Sequence, residues 1–454
     1  MTPSASTLAF VESPVQLLNV LEWAHAEAAS APGGAARLAG VPRQPGPLAS
    51  RGLRPSSDAA SEDAAPADTG FGDAVRADAA DPGHGPEEGG SPRPALGRPG
   101  RFPAASPASE TERPAVGLGV GSGSASAASW LRIVVLPPTD PMSRGQLRRM
   151  AGLARDEGYE VVWQEARGGR LAPLKALAAL AKDVRAARRV VVGDPFSRYV
   201  QLLLTLVRAE ELVVVDDGTA TMEFVAQTAR GERLVRWHRI GGGGLPGRVR
   251  ELAYAPVSAT ARRRFTPAAG TGRRVEVFSS MPVTVHGTMT LRVNEFAWTR
   301  ARFGPPRLTK GTDLVGTSLV ETGVVDPARY LDAVRALTLE HGATRYFAHR
   351  RESAEKLRTL SAATGLEIVR PDLPLELIAR RGPVGRTIVS FPSTVVHTLP
   401  YALTGTGVTV AVCDVDPAWL TGSASPRARS FLAGVTETAR DVHRLPAQTA
   451  SAAG

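Results

Sequence analysis

The chain reads as an α/β protein with two Rossmann-like domains facing one cleft, and three observations lead there. Short runs of valine, leucine and isoleucine alternate with stretches of helical spacing along most of the 454 residues. The runs are apolar at successive positions, as strands of a parallel sheet covered by helices on both faces must be. The alternation is interrupted once, over the turn-rich stretch between Arg263 and Arg274, and then repeats. A chain of this length exceeds one ordinary core, so two domains are expected.

Thr7 to Val11 reads as the first strand, and Glu12-Ser13-Pro14 turns it into a helix from Val15 to His25, with Ser13 as N-cap and Pro14 in the first turn. From 29 to 128 the composition falls to Ala, Pro, Gly, Ser, Asp and Arg without aliphatic periodicity. Such a segment buries too little apolar area to offset its ordering entropy, so it is expected to be a disordered surface insertion. Strands are then predicted at Leu131–Leu136, Glu160–Trp163, Arg189–Val192 and Glu211–Val215. The intervening helices are predicted at Gln146–Glu157, Leu174–Ala187 and Phe196–Arg208. The second series places strands at Val275–Phe278, Asp313–Gly316, Arg345–Ala348, Leu366–Val369, Thr387–Ser390 and Val408–Val412, with helices such as Pro327–His341 and Ser353–Gly365 between them. The expected domains are therefore 1–28 with 129–262, and 275–425. A tail, 426–454, has helical spacing from Pro426 to His443 that would let it cross back onto the first domain.

Net charge is +10, which raises nucleic-acid binding as a possibility. Only four lysines occur among the basic residues, and the arginines are scattered, so a solvated surface is the better account and no nucleic-acid partner is expected. A basic surface also suits an anionic sugar nucleotide, an anionic glycan or a lipid headgroup. The single Cys413 excludes an intramolecular disulfide and fits a reducing compartment. No apolar run approaches a membrane span, and the first residues lack the basic start of a signal peptide. The expected location is the cytoplasm, with room for a peripheral position on the inner membrane.

Three polar groups fall at predicted strand ends, where open α/β sheets bind ligands. Asp216-Asp217-Gly218 follows the strand Glu211–Val215. One carboxylate there can act as a general base, and repulsion within the pair raises one pKa toward that use; an Asp-Gly turn before a helix explains the same residues equally well. His349, followed by Arg350-Arg351-Glu352, can donate to a phosphate and, if protonated, stabilise a leaving group; a histidine bridging local loops is the alternative. Ser393-Thr394 opens a helix, so hydroxyls and free backbone N–H groups can hold a phosphate without metal, although an ordinary N-cap has the same appearance. His397, on that helix, reads as a packing residue. Asp414-Val415-Asp416 offers the only hint of a metal site and follows a buried strand into Pro417. Gly241 to Gly244 reads as a flexible loop, and Gly193 to Arg198 as a capped turn. No metal or other cofactor is expected.

Taken together, the order Asp216-Asp217-Gly218, His349-Arg350 and Ser393-Thr394 resembles the bacterial sialyltransferase and polysialyltransferase families of glycosyltransferase B (GT-B) architecture. Those families carry an acidic-acidic-Gly motif, a His-Pro motif and a later Ser-Ser/Thr motif. The stretches from Val11 to Asn19 and from Leu314 to Asp326 are also similar to theirs. The resemblance implies a capsule or surface-polysaccharide enzyme that transfers sialic acid, or a related nonulosonic acid, with inversion from its CMP conjugate to a glycan or glycolipid hydroxyl. It further implies Asp217 as base, Asp216 as its neighbour shaping the charge, and His349, Ser393 and Thr394 as phosphate ligands. Gly218, Arg350 and Ser13 complete the implied site. Arg350 stands where the family has proline, a departure that leaves room for another nucleotide sugar as donor. A catalytically idle glycan-binding scaffold is the remaining alternative.

Overall fold

A computed structural model describes residues 6–31, 130–167, 169, 172–235 and 245–448. The first sheet is built from β1 (Thr7–Val11), β2 (Leu131–Val135), β3 (Glu160–Trp163), β4 (Arg189–Val192), β5 (Glu211–Val215), β6 (Arg274–Ser279) and β7 (Met289–Val293), in the order β3-β2-β1-β4-β5-β6-β7. The second uses β8 (Leu308–Val315), β9 (Ala343–Phe347), β10 (Glu367–Val369), β11 (Val384–Ser390), β12 (Thr409–Cys413) and β13 (His443–Leu445), in the order β10-β9-β8-β11-β12-β13. Every neighbouring pair is parallel. Both sheets thus grow outward from their first strand in the dinucleotide-fold order, which opens a crevice between β1 and β4 and another between β8 and β11. These are the two Rossmann-like halves expected from the sequence.

The strands explain their own burial. Along β1, Leu8 and Phe10 join one apolar cluster with Val190, Val192 and Phe224, while Ala9 and Val11 join another with Leu17, Ile133 and Met150. Period-two alternation thus delivers side chains to helices on both faces of the sheet, which is why the run is apolar throughout. Helix starts follow capping chemistry. Ser13 caps the helix Pro14–Ser30 by accepting from the backbone N–H of Gln16, and Asp326 caps Pro327–His341 by accepting from Ala328 and Arg329.

Several expectations are corrected. The strand assigned to the start of the second series, Val275–Phe278, lies within β6 and pairs with β5 in the first sheet. The stretch before it follows the crossover helix Leu245–Phe265, and the passage between sheets falls after β7. The helix Pro426–Thr438 does not cross back: Ala428 and Leu432 pack with Val389 and Cys413 of the second sheet. Helix Pro14–Ser30 continues into the first residues of the expected insertion, because Ala26 and its neighbours extend the helical register. The remainder of that insertion from 32 onward, and Gly241 to Gly244, lie outside the described residues. Among the described residues no helix is long and apolar enough to cross a membrane.

The halves are stitched together at a second level. The cluster around Leu17 and Phe296 also takes in Leu373, Leu377 and Ala402 from the second half, and the Gln146 amide donates to the Pro371 carbonyl at 2.9 Å. Glu22 receives N–H groups from Trp298 and Thr299 at 2.8 and 2.9 Å and the Thr299 hydroxyl at 2.6 Å, closing the open start of the helix Ala297–Arg302. Burial pushes the Glu22 carboxyl up to about 7. With a folded value above the unfolded one, its contribution to stability is complete below about 4.5 and is lost as the pH rises through about 7. Glu22→Gln should therefore gain on the native protein as pH rises over that window, by at most about 1.4 kcal/mol per unit. Paired thermal melts from pH 4 to 8 check this, and parallel curves would contradict it.

Candidate active site

All eight residues implied by the sequence line one cavity of about 260 Å³ between the two halves: Ser13, Asp216, Asp217, Gly218, His349, Arg350, Ser393 and Thr394. The first four come from the ends of β1 and β5, and the last four from the ends of β9 and β11. The carboxyl ends of both sheets therefore aim into a common space.

On the first wall the two aspartates differ in kind. Asp216 is buried and fully engaged: Oδ2 accepts from the backbone N–H and hydroxyl of Ser280, both at 3.2 Å, and Oδ1 from the N–H of Gly218 at 3.1 Å. Burial raises its pKa. Asn19 donates to the Asp216 carbonyl at 2.8 Å and is itself held by Asn294 at 2.9 Å. Asp216 thus acts as a clamp for the turn, which leaves Asp217 half-buried at the cavity with the Ser13 hydroxyl 3.5 Å from its Oδ1 and its own N–H on Thr221 Oγ1. Ser13 therefore has two tasks, cap and partner. The loop that carries it is tied down by Glu12, whose buried carboxylate takes Arg167 and Ser197, each at 2.6 Å.

Gly218 has φ +64°, and a methyl group there would lie 3.0 Å from Cγ2 of Thr394. Glycine is required both by the left-handed backbone and by this approach of one half to the other.

On the second wall, Thr394 stands at the N-cap of the helix Val395–Ala402, yet no side-chain capping bond forms there. The ordinary-cap explanation of the Ser-Thr pair is therefore not realised. Ser393 Oγ is 3.2 Å from Ser390 Oγ, and both Ser393 and Thr394 border the cavity. Within the first turn the N–H groups of Val396 and His397 are taken by the carbonyls of Ser393 and Thr394, at 3.3 and 3.0 Å, so the positive end of the helix dipole is what the turn adds to this wall.

His349 is held down to about 3 by burial and by the charges of Arg350, Arg351 and Lys356. Those causes disfavour the protonated form considered above. Its Nδ1 accepts from the Arg351 N–H at 3.2 Å, so the ring proton resides on Nε2. Cations still border the cavity through Arg350, Arg351 and Arg370.

Two residues escaped the sequence reading. Glu376 lines the cavity from the helix Leu375–Arg381, its carboxyl buried, raised in pKa by that burial, and bonded by the Thr398 hydroxyl at 2.6 Å. In sequence it is one acid in a first helical turn, an ordinary place for one. Glu352 lies beneath His349 and receives that residue's N–H at 2.6 Å. Other expectations resolve simply. Asp416 caps the short helix Pro417–Trp419, Asp194 accepts from the Phe196 N–H at 2.8 Å within its turn, and His397 packs in the interior, its pKa lowered to about 4 by burial.

No protein-family model matches the chain, and no curated protein sequence does. Among solved structures it is similar to an α/β-galactoside α-2,3-sialyltransferase from Photobacterium phosphoreum, at 9% identity over 69% of this chain and 90% of that one, with a TM-score of 0.39. It is also similar to the GT-B domain of a sialyltransferase from Photobacterium damselae, at 11% identity over 70% and 92% of the two chains, with a TM-score of 0.37. A third is Os79 from O. sativa in complex with UDP and deoxynivalenol-3-glucoside, at 13% identity over 68% and 88%, with a TM-score of 0.28. Scores this low carry no argument about chemistry, which rests on the cavity itself.

Proposed function

We propose that the protein is an inverting glycosyltransferase that moves sialic acid, or a related nonulosonic acid, from its CMP conjugate to a hydroxyl of a surface glycan or glycolipid. The observation that carries this reading is the cavity with Asp217 on one wall and His349, Ser393 and Thr394 on the other. Direct displacement needs that opposition: the base must act on the face of the anomeric carbon away from the leaving phosphate. In the proposed step Asp217 takes the proton of the acceptor hydroxyl while its oxygen bonds to the anomeric carbon. The bond from that carbon to the phosphate oxygen breaks, and its electron pair stays on CMP.

A phosphate monoester has a second pKa of about 6, so CMP leaves as a dianion without taking up a proton. The leaving group thus asks for hydrogen bonds more than for an acid. The second wall matches that demand with the Nε2–H of a neutral His349, two hydroxyls and a positive helix end. Arg350 adds a cation where proline would remove an N–H.

The test is mass spectrometry of products after incubation with CMP-sialic acid and a panel of glycans, together with thermal shifts in CMP, UDP and GDP. A product heavier by one sialyl residue, and a shift of a few degrees in CMP alone, are expected. Stabilisation by UDP or GDP instead would reassign the donor, and neither stabilisation nor transfer would favour a glycan-binding scaffold.

A further inference from the structure

Beneath His349 lies a buried polar network that the reaction does not use directly. The Glu352 carboxylate, with no side-chain exposure, takes the Tyr346 hydroxyl at 2.6 Å on Oε1 and the His349 N–H at 2.6 Å on Oε2, and the Lys356 ammonium stands 2.8 Å from Oε1. Lys356 also reaches the carbonyl of Thr317 at 3.2 Å and Glu321 at 3.3 Å, while its ammonium lies 4.2 Å from the ring centre of Tyr330. Tyr330 and Tyr346 meet hydroxyl to hydroxyl at 2.6 Å. Gly316 makes the niche: a methyl there would fall 2.2 Å from Glu352 Oε2 and 2.7 Å from the Tyr346 hydroxyl. Taking these charges out of water is costly, and apolar packing of the same volume would serve stability as well. The return is better sought in position.

Geometry shows which position. The N–H of Glu352 donates to the His349 carbonyl at 3.0 Å, closing a four-residue turn, His349 to Glu352. Arg350 occupies its second place, where proline's fixed φ is favoured and where arginine leaves the backbone freer. The turn is closed twice instead, by that backbone bond and by the carboxylate returning to the His349 N–H. Orientation of the imidazole depends in turn on the Arg351 N–H at Nδ1, inside the same turn. Through Lys356 the carboxylate also anchors the Thr317 carbonyl, and Thr317 borders the same cavity.

We propose that Glu352 is a positioning residue: it substitutes for proline in holding the turn His349–Glu352, so that the cavity is presented with one histidine tautomer, its proton on Nε2. The functional value of this rests on the phosphate role of His349 proposed above, whereas the structural claim stands apart from it.

The test follows the histidine ring by nitrogen NMR in the full-length protein labelled with 15N-histidine, the His349 signals being those lost in His349→Ala. In the native protein a single Nε2–H tautomer is expected, neutral well below the ordinary imidazole value. Glu352→Gln, similar in shape, should give exchanging tautomers. Adding Arg350→Pro to Glu352→Gln should restore a single tautomer, which a loss of general stability would not predict. Donor kcat/KM should fall about 10- to 100-fold in Glu352→Gln, the cost of a slightly misplaced group. Unchanged His349 signals in Glu352→Gln, or failure of Arg350→Pro to restore them, would overturn the proposal. Should Glu352→Gln not fold, amide exchange in the native protein decides: a protected His349 N–H supports the clamp, and exchange at the rate of an open loop refutes it. Native protein with the expected NMR behaviour but no transfer from CMP-sialic acid and no CMP binding would uphold the clamp and reject the donor assignment.

Discussion

Asp217→Ala is expected to lower transfer about 10²- to 10⁴-fold, the range that a general base contributes, while CMP affinity stays the same or tightens slightly. The split follows from the two walls of the cavity. Asp217 comes from the end of β5, and the proposed phosphate cradle from the ends of β9 and β11, so truncation removes the proton acceptor and leaves the cradle intact. Losing a negative charge on the opposite wall also relieves repulsion of the nucleotide. Asp217→Asn, which keeps the shape and a partner for Ser13, should be as inactive, because an amide cannot take the proton. Steady-state transfer assays and CMP titration calorimetry measure the two halves of this prediction. Full activity in Asp217→Ala would defeat the base assignment. Asp216→Ala should behave differently: with Ser280 and the Gly218 N–H left unpaired, the thermal midpoint falls along with activity.

His349→Ala should cost transfer about 10²- to 10³-fold, the loss typical of one donor to a developing negative charge. Unlike the change at Asp217, it should also weaken CMP binding, by about 10- to 100-fold, as removing a hydrogen bond to a charged group does. The pH behaviour is a sharper check. His349 is neutral because burial and three neighbouring cations oppose a further positive charge. If it works as an Nε2–H donor, kcat should show no step near the ordinary imidazole pKa that disappears in His349→Ala. A step of that kind would mean that the histidine acts as an acid and that the dianionic leaving group is the wrong description.

Much of this site was legible because its residues stand at ends of strands that read clearly. The run before Asp216 is apolar at nearly every position and falls on the expected bounds Glu211–Val215, while those before His349 and Ser393 keep short buried apolar stretches, Tyr346-Phe347-Ala348 and Ile388-Val389, ahead of the polar turn. Where strands are poorly apolar the sequence was silent. Edge strand β7, with Thr290, Leu291 and Val293 exposed, has no covered face to impose a pattern, and its neighbour β6 was consequently assigned to the wrong half. Glu352 and Glu376 were missed for a different reason. An acid at a turn or in a first helical turn is usually solvated, and nothing local in the sequence records that Gly316, or Thr398, comes from a separate segment to bury it. The lowered pKa of His349 was half legible: Arg350 and Arg351 stand beside it in the sequence, whereas the burial that contributes most does not show there.

The near-touch of Gly218 and Thr394 bears on passage through the cavity. A pyranose needs roughly 3.5–4.0 Å to its neighbours on each face, and a methyl on Gly218 would already stand 3.0 Å from Thr394. No ring can pass between those two tips. For the reaction proposed above, donor and acceptor would therefore have to meet along the flanks of this pinch point.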